Sequence, residues 1–142
     1  MSGAILTARA DISVRFSEVD MMGVVWHGHY VRFFEDGREA FAKKYEFNYL
    51  DAMNEGLSTP VVKMDLSYKK SLRYNEPAYI ETIFKDSEAA KIQYEYRIYR
   101  KDTDELLTAG NTMQVFVDRR GELILSSPKS FMEWKRKWGV ID

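Results

Sequence analysis

Between His29 and about Tyr49 the apolar residues fall at helical spacing; after Gly56 they fall at strand spacing. This single change of period is the strongest constraint on what the chain can fold into. Tyr30, Phe33, Phe34, Gly37, Phe41 and Tyr45 recur at three- and four-residue steps, which lays one apolar stripe along a helix. Gly37 lies on that stripe. Glycine costs roughly 1 kcal/mol against alanine in a helix interior, so its presence argues for close packing on another element. Downstream, VVKMDLSYKK places Val62, Met64, Leu66 and Tyr68 on one face, with Lys63, Asp65 and Ser67 opposite. AYIETIFKD, KIQYEYRIYRK and LLTAGNTMQVFVD follow as further strands rich in β-branched and aromatic residues. Their connections (RYNEP, DSEAA, DTDE, then DRRG before ELIL) are short, so successive strands run mostly antiparallel. Upstream, RADISVRF alternates, with Ile12, Val14 and Phe16 on one side. Ser127 and Pro128 read as an N-cap and a first helical proline, opening a short amphipathic helix, FMEWKRKW.

The order of elements is a strand, a long helix, about four long strands and a closing helix. One helix covers only one face of such a sheet. The reading is a single α+β domain, residues 1–142, with the sheet wrapped round the helix. Tyr94, Tyr96, Tyr99 and Phe116 imply that part of the other face is covered too, a place for a second subunit. A chain of 142 residues buries such a core without metal or disulfide help. The chain has 0 cysteines, which excludes disulfides, thiolate catalysis and zinc–thiolate sites and fits a reducing compartment. A net charge of −1 argues against a general nucleic-acid or polybasic membrane surface. The N-terminal stretch MSGAILTARADISVRF lacks a basic start and a long apolar run. No membrane span or signal peptide is expected, and the expected setting is cytoplasmic.

The densest chemistry lies in EVDMMGVVWHGHYVRFFEDGREAF, residues 18–41. An aspartate shortly before a helix is ordinarily a turn or cap residue. The helix that follows, however, begins with amides that have no intrahelical partner and carry the positive end of the dipole. A carboxylate with an ordinary pKa of roughly 3.9 is ionised at neutral pH, ready to act as nucleophile or base. His27 and His29 form a His-x-His pair without a third ligand at recognisable spacing, so metal binding is not expected. No Gly-x-Ser-x-Gly elbow occurs, which disfavours a serine hydrolase.

The run Asp20-Met21-Met22-Gly23-Val24-Val25-Trp26-His27-Gly28-His29-Tyr30 resembles the hotdog-fold acyl-CoA thioesterases, specifically the 4-hydroxybenzoyl-CoA thioesterase and YbgC-like branch. That branch carries Asp-x-x-Gly-(Val/Ile)-Val-(Tyr/Trp)-(His/aromatic)-x-x-Tyr leading into its central helix. Weaker echoes occur at Ser58-Thr59-Pro60 and at Pro77, whereas KKSLRYNEP departs from the proline common in that turn of the family. The resemblance implies a hotdog fold: a long central helix wrapped by an antiparallel sheet of about five strands. It implies hydrolysis of an acyl-CoA thioester with Asp20 as nucleophile or general base. The backbone N–H groups at His27 and Gly28 would polarise the carbonyl, and the His27 side chain would orient water or the carboxylate. Gly28 would let the substrate approach the backbone. Tyr30, Phe34 and Thr59 are candidates for substrate binding, although helical spacing also places Tyr30 and Phe34 in an ordinary core. Lys69, Lys70 and Arg73, and the cluster Lys135, Arg136 and Lys137, are candidates for the coenzyme A phosphates. Glu35 and Glu39 are reserve carboxylates. No cofactor or metal is implied, coenzyme A being part of the substrate. Family sites lie between subunits, so a dimer or tetramer is expected. The alternatives are a non-catalytic acyl-CoA-binding module or a thioesterase acting on acyl-carrier protein. A hotdog hydratase would show histidine five residues after the aspartate, where this chain has Val25.

Overall fold

A helix of 15 residues, α1 (Tyr30–Lys44), lies across one face of a five-stranded sheet in the computed structural model. The structure describes residues 3–142; Met1 and Ser2, the start of the N-terminal stretch read above, lie outside the described residues. The strands are β1 (Thr7–Ile12), β2 (Val61–Tyr68), β3 (Ala78–Lys85), β4 (Lys91–Arg100) and β5 (Leu106–Val115). They are arranged in the order β1-β3-β4-β5-β2, with every pairing antiparallel. Two shorter helices complete the chain, α2 (Tyr49–Asn54) and α3 (Lys129–Lys137). No helix of the described residues is long and apolar enough to cross a membrane.

The helical stripe is buried as its spacing requires: Tyr30, Phe33, Phe34, Gly37 and Phe41 all face the sheet. Two glycines set how close α1 comes. A Cβ on Gly37 would collide with Thr82 Oγ1 and stand 3.2 Å from Ile80 Cδ1, both on β3. A Cβ on Gly110 of β5 would stand 2.6 Å from the Asp65 carbonyl oxygen and strike the Phe34 ring. With neither Cβ present, Phe34 stacks on Tyr96 with ring centres 4.2 Å apart, and Phe41 meets Tyr94 edge-on at 5.1 Å.

Several expectations need correction. β1 ends at Ile12, paired with Ala78, because the next partner on β3 would be Pro77, which has no N–H for the ladder. Val14 is still buried, but Phe16 falls in a 3-10 turn (Phe16–Glu18) and is 78% exposed. The helix stops at Lys44; Glu46 takes a positive φ of 52°, and the chain reverses. Tyr49 therefore opens α2, whose signal was Asn48: its side chain accepts the Leu50 amide at 2.9 Å. α3 begins at Lys129, one residue later than expected, and Pro128 precedes it without a side-chain cap. Within β2 only Met64 and Leu66 are half-buried, while Val62 and Tyr68 are exposed. Of the strand aromatics, Tyr94, Tyr96 and Phe116 are covered by the chain's own helices. Tyr99 is on the opposite face, stacked on Tyr79 at 5.1 Å.

The basic cluster of α3 serves the fold. Lys135 is buried, its Nζ 2.6 Å from the Asp86 carboxylate and donating to the Ser87 carbonyl at 3.1 Å. Lys137 pairs with Glu46 at 2.9 Å. A buried ammonium needs such partners, because desolvating an unpaired charge is expensive.

Gly37→Ala tests the helix–sheet contact. Helix propensity favours alanine by about 1 kcal/mol, but overpacking costs typically 1–3 kcal/mol, so the expected result is a lower thermal midpoint. Adding Thr82→Ala should recover part of the loss by removing the nearest atom.

Candidate active site

The segment between β1 and α1 is a pinned hairpin. Val19 and Val25 pair across it, and the Asp20 amide donates to the Val24 carbonyl at 2.9 Å. The Gly23 amide donates to the Asp20 carbonyl at 3.0 Å, closing a tight turn in which Gly23 takes φ +75°. The Asp20 side chain takes part in this turn, with Oδ1 accepting the Met22 amide at 2.8 Å. Turn residue and available carboxylate are thus the same group: one oxygen is oriented by the backbone, and Oδ2 has no partner among the described residues. The hairpin is tied down on two sides. Val25 donates to Leu72 O at 2.7 Å, Tyr74 to Gly23 O at 3.1 Å and Trp26 to Glu18 O at 3.0 Å. Glu18 is buried; its carboxylate accepts the Arg15 amide and stands 3.8 Å from Arg32 of α1.

Residues His27–His29 form a 3-10 turn that runs directly into α1. The His29 amide donates to Trp26 O at 3.0 Å, and the Tyr30 amide to His27 O. The amides of His27 and Gly28 have no partner among the described residues, as expected for the first donors of a helix. Gly28 is required for space, not for conformation, since its φ is not positive. The Trp26 indole lies over it, where a Cβ would penetrate the ring. Trp26 thus makes a close approach to Gly28 within the chain and remains 51% exposed.

Asp20, His27, Tyr30 and Lys69 line one cleft. Lys70, a phosphate candidate alongside Lys69, lines it as well; Trp26, Tyr68 and Ser71 line it too, and sequence reading missed these three for the site. Strand alternation does put Tyr68 at the end of β2, but nothing local announces that this strand end meets the helix start. Lys70 is paired with Glu105 at 2.6 Å. Lys69 has no carboxylate within 4.0 Å among the described residues. Burial pushes the Tyr30 hydroxyl above the usual phenol range, partly offset by the Leu72 amide that donates to it at 3.3 Å.

Other candidates lie elsewhere. Phe34 is fully buried under Tyr96 and does not line the cleft. Thr59 lines a separate apolar pocket with Phe47, Tyr49, Phe116 and Trp134, its carbonyl accepting Gln114 Nε2 at 2.8 Å. Arg73 pairs through its backbone with Val24 and so supports the turn. Glu35 and Glu39 are exposed, and Glu39 faces Lys43 at 3.4 Å. The His29 ring packs edge-on against Trp26 at 5.4 Å. No three His, Asp or Glu side chains among the described residues are grouped to hold a metal.

The chain resembles known proteins over most of its length. The family described as "Thioesterase-like superfamily" matches residues 14–135. A Bacillus subtilis protein provisionally named as the acyl-CoA thioesterase YneP is 35% identical over 127 residues, spanning 89% of this chain and 91% of that one. The Escherichia coli acyl-CoA thioester hydrolase YbgC is 26% identical over 124 residues, spanning 87% and 92%. The crystal structure of DHNA-CoA thioesterase from Staphylococcus aureus superposes with a TM-score of 0.81 at 28% identity, covering 92% of this chain and 89% of that one.

Gly28→Ala is expected to expel the Trp26 ring from its place over the helix start. Tryptophan fluorescence should shift, while the thermal midpoint changes little because both residues lie at the surface end of the core.

Proposed function

The chain belongs to the thioesterase-like superfamily and is an acyl-CoA thioester hydrolase; we propose that Asp20 supplies its catalytic carboxylate and the His27 and Gly28 amides its oxyanion site. One observation carries this reading: Asp20, with one carboxylate oxygen unpartnered among the described residues, shares a cleft with His27, and the amides of His27 and Gly28 at the start of α1 have no partner among those residues. Hydrolysis needs an oxygen nucleophile at the carbonyl carbon and donors for the charge that develops on the carbonyl oxygen. The amides fill the second need without reorganising, because the helix already holds them in place. Oδ2 of Asp20 fills the first by one of two routes. As general base it takes a proton from the attacking water; as nucleophile it forms a mixed anhydride that water then cleaves. In both, the C–S bond breaks as the tetrahedral intermediate collapses and coenzyme A leaves as its thiolate. A thiol with an ordinary pKa of roughly 8.5 leaves without a strong general acid, so the chemistry asks nothing further of His27 than orientation of water or the carboxylate. Single turnover in ¹⁸O-water detects an anhydride cleaved by water at the Asp20 carboxyl carbon, since enzyme oxygen then leaves in the first acid released.

Lys69 is the cation of the cleft rim best placed for a coenzyme A phosphate. Coenzyme A enters as part of the substrate, and the reading needs no further cofactor. We place the enzyme in the cytoplasm, in keeping with such a substrate. Strand β2 is an open edge of the sheet, with Val61 39% and Val62 53% exposed, and unpaired edges favour pairing with another chain. This supports a dimer through β2, or a tetramer of such dimers. The same cleft would take an acyl-carrier thioester, which hydrolysis assays on both donors distinguish.

A panel of short, long and aromatic acyl-CoAs, followed by thiol release, tests the assignment. Asp20→Asn should lower kcat by roughly 10²–10⁴-fold with the fold intact, the range for losing a positioned acid–base group. Lys69→Ala should raise KM several-fold, roughly the effect of one exposed charge pair, and leave kcat unchanged. Wild-type rates for Asp20→Asn would refute the catalytic assignment. Light scattering should give twice or four times the monomer mass; a monomeric, fully active enzyme would refute the shared-edge assembly.

A further inference from the structure

Tyr68 ends β2 and points into the cleft from the strand side. Its hydroxyl donates to the His27 carbonyl oxygen at 3.1 Å. The Tyr30 amide donates to the same oxygen. That carbonyl belongs to the peptide group whose N–H is that of Gly28. The ring of Tyr68 is braced edge-on against buried Tyr30, centres 5.0 Å apart at 80°. Immediately beyond it, the Lys69 and Lys70 amides both donate to Leu107 O at 3.0 Å, which pins the strand end to β5.

We propose that Tyr68 is a positioning residue for thioester hydrolysis, acting through the His27–Gly28 peptide on the oxyanion. The inference rests on the reading of Gly28 N–H as an oxyanion donor and goes one layer further out. A hydrogen bond to a carbonyl oxygen draws electron density from the amide nitrogen and makes the N–H of the same peptide a stronger donor. It also fixes the peptide plane, and with it the direction of the Gly28 N–H. The chain of bonds is Tyr68 O–H to His27 C=O, then Gly28 N–H to the carbonyl oxygen of the substrate. Tyr68 transfers no proton and forms no bond to the substrate. Its contribution grows as negative charge grows on that oxygen, so it acts on the transition state more than on bound substrate.

The test is Tyr68→Phe in the full chain, which keeps the ring contact with Tyr30 and removes only the hydroxyl. Two probes report on different states: an S-alkyl-CoA thioether has no carbonyl, whereas a trifluoromethyl-ketone analogue of acyl-CoA hydrates to a tetrahedral mimic of the intermediate. We expect kcat to fall roughly 5–20-fold, the scale of one hydrogen bond acting on the transition state. KM, thioether affinity and the thermal midpoint should hold, and ketone inhibition should weaken in proportion to kcat/KM. An unchanged kcat, or thioether affinity lost by the same factor as activity, would overturn the proposal. Asp20→Asn run alongside keeps the two readings apart. If it abolishes turnover while Tyr68→Phe is neutral, only the Tyr68 proposal falls; if it turns over normally, the whole site assignment falls with it.

Discussion

The distance between α1 and the sheet is the constraint on which the rest of this structure depends. Gly37 on the helix and Gly110 on β5 remove the two Cβ atoms that would hold the layers apart. In the space gained, Phe34 lies flat on Tyr96 and Phe41 meets Tyr94. Close packing of this kind collects many small dispersion contacts and excludes water from the inner face. It leaves the Thr82 hydroxyl buried beneath the helix without a partner among the described residues, a polar loss that the surrounding apolar contacts offset. The same approach sets the height of the helix start above the sheet end. Tyr30, the first residue of α1, is thereby brought against Tyr68, the last residue of β2.

The site exploits groups that the fold leaves over. A helix start has amides without intrahelical partners, and here one of them belongs to His27, which lines a cleft. A tight turn with glycine at positive φ needs a residue that bonds its own backbone, and Asp20 does so with one oxygen only. The turn bond holds the carboxylate in one orientation, which would preorganise it for the role proposed for it. The hairpin carrying it is fastened by backbone bonds to Leu72 and Tyr74 on one side and to Glu18 on the other. In the proposed mechanism the chemistry therefore rests on main-chain geometry, and few side chains carry it.

Much of this was legible in the chain. The stripe Tyr30, Phe33, Phe34, Gly37 and Phe41 is the buried face of α1, because a helix against a sheet must bury what recurs at its own period. Alternation located the four later strands, and the Asp20–Tyr30 run carried the family. Errors gathered where a local pattern competes with a distant partner. Phe16 continues the alternation of β1, yet Pro77, more than sixty residues away, ends the ladder before reaching it. Tyr94 and Tyr96 looked like cover for an outer face, whereas their parity in the sheet turns them toward α1. Thr59, beside a family echo, lines a pocket with residues of α2 and α3, a neighbourhood no local pattern announces.

By itself, then, the sequence determined the helix and its buried face and the antiparallel strands, because each is written in spacing within a short window, and its resemblance to a family singled out Asp20. Only the tertiary structure decided which strand end meets the helix start. That is why Tyr68 and Lys69, about forty residues after His27, share its cleft, while Phe34, one turn from Tyr30, does not. Neighbourhood across a sheet depends on strand order and register, and the order β1-β3-β4-β5-β2 is a property of the whole chain.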